Sequence, residues 1–343
     1  LYSSNLTPDK TTGIGAWSLE EFRHVMATGV SRHGALYPAF PFENFQHLNT
    51  EDVDAIFAWL QQVPAVKLEV PAHRLSGVAG TRAAMMGWRM AFHRPWELAH
   101  IESKSEAWNR GRYLVEGVGH CSMCHGERGS YGTLPAPLRY AGGVIPGQGW
   151  YAPALDKEAL SRWTVEDLAD YLRTGVAPQS SAYGPMAEVI YSSLQYLTPS
   201  DANAMAEYLL DGVAPVPARA VRRMMAVPAR DTVNIASTRL YETHCAQCHG
   251  KQGEGRDRVY PPLANNPNVT AIDPMNLIRV TLFGAAAPTT EANPAPHSMP
   301  PFVGRVSDEE LLSLINHVRG SWGNNAPTIS HTQLNAVRSL PLE

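Results

Sequence analysis

Apolar residues return at helical spacing in three stretches that align without gaps, residues 48–60, 197–209 and 306–318. In the first of them Val53, Ile56, Phe57 and Leu60 share one face of a 3.6-residue helix. Each stretch opens with Ser, Thr or Asn near an acidic turn, as a capped helix start does. A second pattern also repeats. Residues 16–30 match residues 162–176 at a constant offset of 146, from Ala16-Trp17-Ser18-Leu19-Glu20-Glu21 against Arg162-Trp163-Thr164-Val165-Glu166-Asp167 to Thr28-Gly29-Val30 against Thr174-Gly175-Val176. A weaker third copy covers residues 276–284. The hydroxyl residue predicts where each helix begins, and the glycine where it ends. No stretch makes a persuasive sheet, so the pattern predicts an all-α chain of three tandem units joined by long irregular loops.

Composition narrows the class. A chain of 343 residues has room for two or three domains, and its net charge of −4 gives no reason to expect nucleic acid as a partner. No run of 18 or more apolar residues is present, which argues against a transmembrane helix in these residues. The 27 glycines and 27 prolines fit short helices interrupted by loops.

The chemistry lies in the cysteines. Cys-x-x-Cys-His occurs twice, as Cys121-Ser122-Met123-Cys124-His125 and Cys245-Ala246-Gln247-Cys248-His249, and the two motifs use every cysteine of the chain. In this arrangement two thiols can form thioethers to the vinyl groups of a c-type haem while the adjoining imidazole reaches the iron. A four-cysteine zinc site sets its two pairs about 15 to 20 residues apart, whereas 120 residues separate Cys124 from Cys245. A thioredoxin-like pair needs a βαβ setting, yet the flanks at residues 111–115 and 238–241 read as short helices. Structural disulfides would not require a histidine after each pair.

A haem that carries electrons has both axial positions filled, and a methionine follows each motif. Met186 lies 65 residues after Cys121, in Tyr183-Gly184-Pro185-Met186, and Met299 lies 54 after Cys245, in His297-Ser298-Met299-Pro300-Pro301. Proline or glycine beside each stiffens a loop that holds a weak thioether ligand. The competing reading makes each a gap-filler of the core. Both sit in polar, proline-rich segments rather than on an apolar stripe, which favours the ligand role.

Motifs and repeats together define the expected domains: 1–75, a cytochrome c-like domain without its motif; 76–105, a linker; 106–218 and 234–324, domains with motifs at 121–125 and 245–249; 219–233, a second linker; and 325–343, a tail. Carrying the offset of 146 back from Cys121 puts the first unit's motif about 26 residues before Leu1. A helical half-domain hardly buries a sufficient core alone, so an upstream segment or another chain is expected to complete it, the alternative being a haem-free remnant. The first unit also has Phe40 where the second has Met186, each 11 residues after the glycine. Met26, His24, His33 and His47 are the other donors within it.

These features resemble the three-haem cytochrome c subunit of bacterial periplasmic, membrane-bound dehydrogenases. The resemblance is carried by Asn5-Leu6-Thr7-Pro8-Asp9, Gly13-Ile14-Gly15-Ala16-Trp17, Leu36-Tyr37-Pro38-Ala39, both motifs, Gly184-Pro185-Met186-Ala187-Glu188-Val189 and Ser321-Trp322-Gly323-Asn324, and it spans nearly the whole chain. It implies tandem cytochrome c domains, thioethers at Cys121, Cys124, Cys245 and Cys248, and iron ligands His125, Met186, His249 and Met299. It implies two haems c in this chain, with a third if the upstream segment exists. The implied partners are a molybdenum-, pyrroloquinoline quinone- or flavin-dependent catalytic subunit oxidising an aldehyde or alcohol, a small iron-sulfur subunit in some relatives, and ubiquinone. The implied location is the periplasmic face of the bacterial inner membrane, with a leader removed upstream of Leu1. Phe40 makes the chain look more like the cytochromes of molybdenum-containing aldehyde or N-heterocycle dehydrogenases.

Membrane contact would then be peripheral. Residues 82–98 interleave Met85, Met86, Trp88, Met90, Phe92 and Trp96 with Arg82, Arg89, His93 and Arg94, a composition suited to the headgroup region or to a helix packed on a partner. Residues 328–342 form a weaker candidate. An electron-transfer subunit is the expectation. The rival is a dihaem cytochrome c peroxidase-like enzyme, whose active haem needs an open distal side where this chain offers a methionine.

Overall fold

The computed structural model describes residues 1–74, 81–93, 96–212 and 234–341. It divides into two compact units, one built from Leu1–Ser103 with Arg112–Cys121, the other from Lys104–Gly111 with Ser122–Glu343. The expected linker at 219–233, residues 213–218 before it and residues 76–80 lie outside the described residues.

The first unit is organised by two helices. Helix Leu19–Thr28 starts at Ser18, whose hydroxyl accepts from the Glu21 amide while the Glu21 carboxylate accepts from the Ser18 amide. Helix Thr50–Leu60 starts at Asn49, which caps Asp52. Their facing sides bury Phe22, Met26 and Val53 with Ile14, and Trp17, Phe40, Phe45 and Phe57 pack around them. Segment Arg112–Cys121 joins this unit: the Asn44 amide donates to the Glu116 carbonyl at 2.6 Å, and the Tyr113 hydroxyl donates to Asp52 at 2.5 Å. The sequence pattern assigns these residues to the second domain, since their pairing with residues 44–52 is non-local and leaves no periodic trace. They include a π-turn at Leu114–Val118, an insertion that shifts the helix register just ahead of the first motif.

Helix Arg82–Phe92 follows, capped by Thr81. It is held to the unit by the Arg89 guanidinium 4.5 Å above the Phe42 ring and by His93 at 3.3 Å from Glu43, while Met90 is 77% exposed. No helix among the described residues is long and apolar enough to cross a membrane.

The second unit repeats the plan twice. Helix Val165–Thr174, capped by Thr164, and helix Met275–Phe283 each end at a glycine of positive φ (80° in both), as helix Leu19–Thr28 ends at Gly29 (65°). A two-residue ladder follows in every case: Val30–Ser31 with Gly34–Ala35, Val176–Ala177 with Ser180–Ser181, and Ala285–Ala286 with Ser298–Met299. A fourth pair joins Gly143–Ile145 to Trp150–Ala152. These ladders are absent from the all-α expectation because two or three residues are too few to display a period of two. At Gly284 the glycine is required, because a Cβ there would stand 2.5 Å from the Met299 carbonyl oxygen.

Helices Pro199–Gly212 and Asp308–Gly320 occupy the places expected from residues 197–209 and 306–318. Of residues 325–343, expected as a tail, the described part up to 341 instead adds to the core. Helix His331–Arg338 buries Leu334 and Val337 against Ile278, Leu282 and Leu311, and Arg338 pairs with Asp308. Within the stretch 328–342 considered for membrane contact, Ile329, Leu334 and Val337 are thus used inside the protein. Arg319, fully buried, ties this region down by donating to the carbonyls of Pro327, Val269 and Ala271 at 2.7, 2.7 and 3.0 Å. Its pKa is lowered to about 10 by burial.

Candidate haem centres

The second motif is a single helical turn. Helix Ile235–His244 delivers the chain to Cys245, helix Ala246–His249 follows, and the His249 amide donates to the Cys245 carbonyl at 2.9 Å. In such a turn residues three and four apart lie on one face, so Cys245, Cys248 and His249 point the same way. Burial pushes the Cys245 thiol up to about 12, and all four cysteines are free of disulfides.

His249 is oriented by its far nitrogen. Nδ1 lies 2.9 Å from the Pro261 carbonyl, an acceptor only, so Nδ1 carries the hydrogen and Nε2 is left with its lone pair. Burial lowers the His249 pKa and keeps the ring neutral, as metal ligation requires. His125 is arranged alike, with Nδ1 2.6 Å from the Pro153 carbonyl and its pKa lowered by burial. Helix Ser122–His125 carries Cys124 and His125 in the second unit, and Cys121 closes the first-unit segment.

Met299 shares a cavity of about 470 Å³ with Cys245, Cys248 and His249, between apolar walls that include Leu277, Val280, Phe302, Leu314 and Ile315. Cysteines and imidazole, a thioether and an apolar remainder in the lining of one cavity suit a flat macrocycle bound covalently and through its metal. Polar residues Asn268, His297 and Arg305 also reach this cavity. The ladder with Ala285–Ala286 fixes the backbone of Met299.

Met186 is differently placed from its expected loop. It is the second residue of helix Pro185–Ser192, with Pro185 at the first position and Gly184 (φ 53°) before it. Proline is favoured at the start of a helix because its missing N–H would have no partner there, so the residues read as stiffening a loop in fact begin a helix. In the first unit Phe40 takes the corresponding place and meets Phe45 edge-on at 5.4 Å. Of the other donors there, Met26 is core, His24 and His33 are exposed, and the His47 ring lies 4.0 Å from Trp96. The Pro153 and Pro261 carbonyls are invisible to sequence patterns because a backbone acceptor has no residue-type signature; the only trace is a proline 28 and 12 residues after the respective histidine.

The general cytochrome c family model matches residues 236–322, the part that holds the second motif and Met299. Similarity to individual proteins runs much further. The chain is 34% identical to the cytochrome c subunit of the quinone-type alcohol dehydrogenase of Gluconobacter oxydans, over 99% of this chain and 74% of that protein. It is 32% identical to the fructose dehydrogenase cytochrome subunit of Gluconobacter japonicus, over 99% of this chain and 75% of that one. It is also 32% identical to the gluconate 2-dehydrogenase cytochrome c subunit of Pantoea cypripedii, over 95% of this chain and 78% of that one. The chain belongs to the family of cytochrome c subunits of bacterial dehydrogenases, haem c proteins that serve in electron transfer.

Proposed function

We propose that this chain binds haem c at both motifs and passes electrons from a catalytic dehydrogenase subunit towards ubiquinone at the periplasmic face of the inner membrane. Cys121 and Cys124, and Cys245 and Cys248, would hold the two haems through thioethers, and His125 with Met186 and His249 with Met299 would be the donors to their irons. The reading is carried by one observation: Cys245, Cys248, His249 and Met299 line a single apolar cavity. The prosthetic group supplies one-electron chemistry, and the protein sets its potential through ligands, hydrogen bonds and burial. Pro261 and Pro153 hold the imidazoles in the ligating tautomer. Met299 would fill the position that a peroxidase keeps open, and the apolar walls of the cavity would exclude water.

Three tandem units remain the architecture we favour. The correspondence of helices Thr50–Leu60, Pro199–Gly212 and Asp308–Gly320 supports that reading. The catalytic partner is a molybdenum-, quinone- or flavin-dependent dehydrogenase for aldehydes or alcohols, with an iron-sulfur subunit in the molybdenum case; helix Arg82–Phe92 provides peripheral membrane contact.

Axial substitution tests the assignment. Met299→His and Met186→His should each lower one midpoint by on the order of 100 mV, within the ~0.8 V that axial ligands command, and intact mass should still show two covalent haems. If neither substitution moves a potential, the ligand assignment is wrong. A high-spin ferric haem that reacts rapidly with hydrogen peroxide would favour the peroxidase.

A further inference from the structure

The cavity of the second motif is not closed by its own repeat alone. Ser180, Ser181, Ala182 and Tyr183, from the ladder and loop that follow helix Val165–Thr174, line it together with Cys245 and Met299. Tyr183 is also three residues from Met186, so their Cα atoms can be at most about 11 Å apart. One short stretch of backbone therefore carries the wall of one site and the methionine assigned to the other.

This stretch is clamped from both repeats. The Trp150 ring stands 5.8 Å from that of Tyr183, and a Cβ on Gly184 would come within 2.9 Å of Trp150, so the loop lies directly on the indole. From the third repeat, the Arg279 guanidinium sits 4.7 Å from the Trp150 ring centre. The buried Asn276 amide donates to the Tyr151 carbonyl at 2.6 Å and accepts from the Tyr151 amide at 2.9 Å, matching a peptide group as a neighbouring strand would. Asn276 also reaches the cavity. Packing on Trp150, whose neighbour Tyr151 is held by the doubly bonded Asn276 amide, braces Tyr183 and Gly184.

We propose that Tyr183 is the bridge between the two haem sites of this unit, the side chain across which an electron passes between the centre held by Met186 and the centre held by Met299. The inference rests on the two-haem reading above and adds the route. The step moves one electron from a ferrous to a ferric centre, with no bond made or broken. It needs no proton either, since burial holds the Tyr183 hydroxyl well above its ordinary pKa and the phenol stays protonated. A packed ring offers a continuous path where a smaller side chain would leave a gap.

The test uses the haem-loaded full chain, reduced by a flash-generated flavin semiquinone, with re-equilibration between the haems followed optically. Tyr183→Leu should slow re-equilibration by about tenfold or more because the gap it leaves lacks contact atoms, whereas Tyr183→Phe, which keeps the ring, should stay within about twofold. A wild-type rate in Tyr183→Leu with both haems attached overturns the bridge. Asn276→Asp gives an independent reading, by placing a carboxylate on the shared wall. At pH 8 it should favour the ferric form of both haems about tenfold, a fall of about 59 mV in each one-electron midpoint. A fall in only one midpoint, or in neither, overturns the shared wall and the bridge with it. Haem content separates the two levels of failure: a wild-type chain with fewer than two covalent haems sinks the two-haem reading itself.

Discussion

Helices Thr50–Leu60, Pro199–Gly212 and Asp308–Gly320 correspond in the sequence alignment, and one position separates the first from the others. Trp59, Tyr208 and His317 correspond in the alignment of residues 48–60, 197–209 and 306–318. Tyr208 is 7% exposed, with its ring edge-on to Trp108 at 5.0 Å, where Gly111 lets helix Glu106–Tyr113 approach the Ala204 backbone. His317 is 3% exposed, stacked on Tyr241 and held through Nδ1 by the Ser237 hydroxyl at 3.2 Å. Trp59 is 65% exposed. In the two covered cases the cover is the helix that leads into a Cys-x-x-Cys-His motif. That helix therefore does two jobs, leading into the motif and covering the aromatic or imidazole ring at this position, whereas no such helix covers Trp59 among the described residues.

Removing the covered and the bare ring should give very different costs. Tyr208→Ala ought to destabilise the second unit by about 3 kcal/mol, as loss of a buried aromatic does, and Trp59→Ala by less than about 0.5 kcal/mol, as surface changes do. Urea unfolding followed by circular dichroism measures both. A Trp59→Ala cost near that of Tyr208→Ala would mean that Trp59 is covered in the native protein.

The same position makes the third repeat pH-sensitive. Burial lowers the His317 pKa, so the folded state resists protonation that the unfolded chain accepts below about 6.5. The unfolded state then binds more protons, and stability falls as pH drops below that value. The slope reaches at most about 1.4 kcal/mol per pH unit and ends once the pH passes the folded-state pKa. His317→Gln should flatten the fall of unfolding free energy between pH 6.5 and 5 in haem-loaded protein. Trp59 and Tyr208 contribute no such term, so an unchanged slope would show that the pH dependence comes from elsewhere.

Much of this was legible in the sequence because it is local. Ser18, Thr164, Asn49 and Ser307 cap the helices that their acidic followers announced, and Gly29 and Gly175 end two of them. Cys245, Cys248 and His249 share a face because a helical turn brings residues three and four apart together. What stayed hidden is non-local. Nothing periodic tells that Asn44 reaches Glu116, that Leu334 enters the core beside Ile278, or that Tyr183 lines the cavity of the next repeat. Trp59 and His317 show the same point: their equivalence could be read from an alignment, but which is buried depends on a helix elsewhere in the chain.

Phe40 gives the mildest and most discriminating change. Its ring lies edge-on to Phe45 in the first unit's core, at the place that Met186 takes in the second repeat. Phe40→Met keeps an apolar side chain of similar reach but gives up the aromatic pair, so it should cost about 1 kcal/mol in urea unfolding. The midpoints of the haems at Cys121 and Cys245 should not move. If native preparations bind a third haem in the first unit, Phe40→Met offers its iron a thioether and should raise that third midpoint alone. If no third wave exists before or after substitution, the first repeat keeps the family scaffold without its chemistry, and the phenyl ring there is simply core.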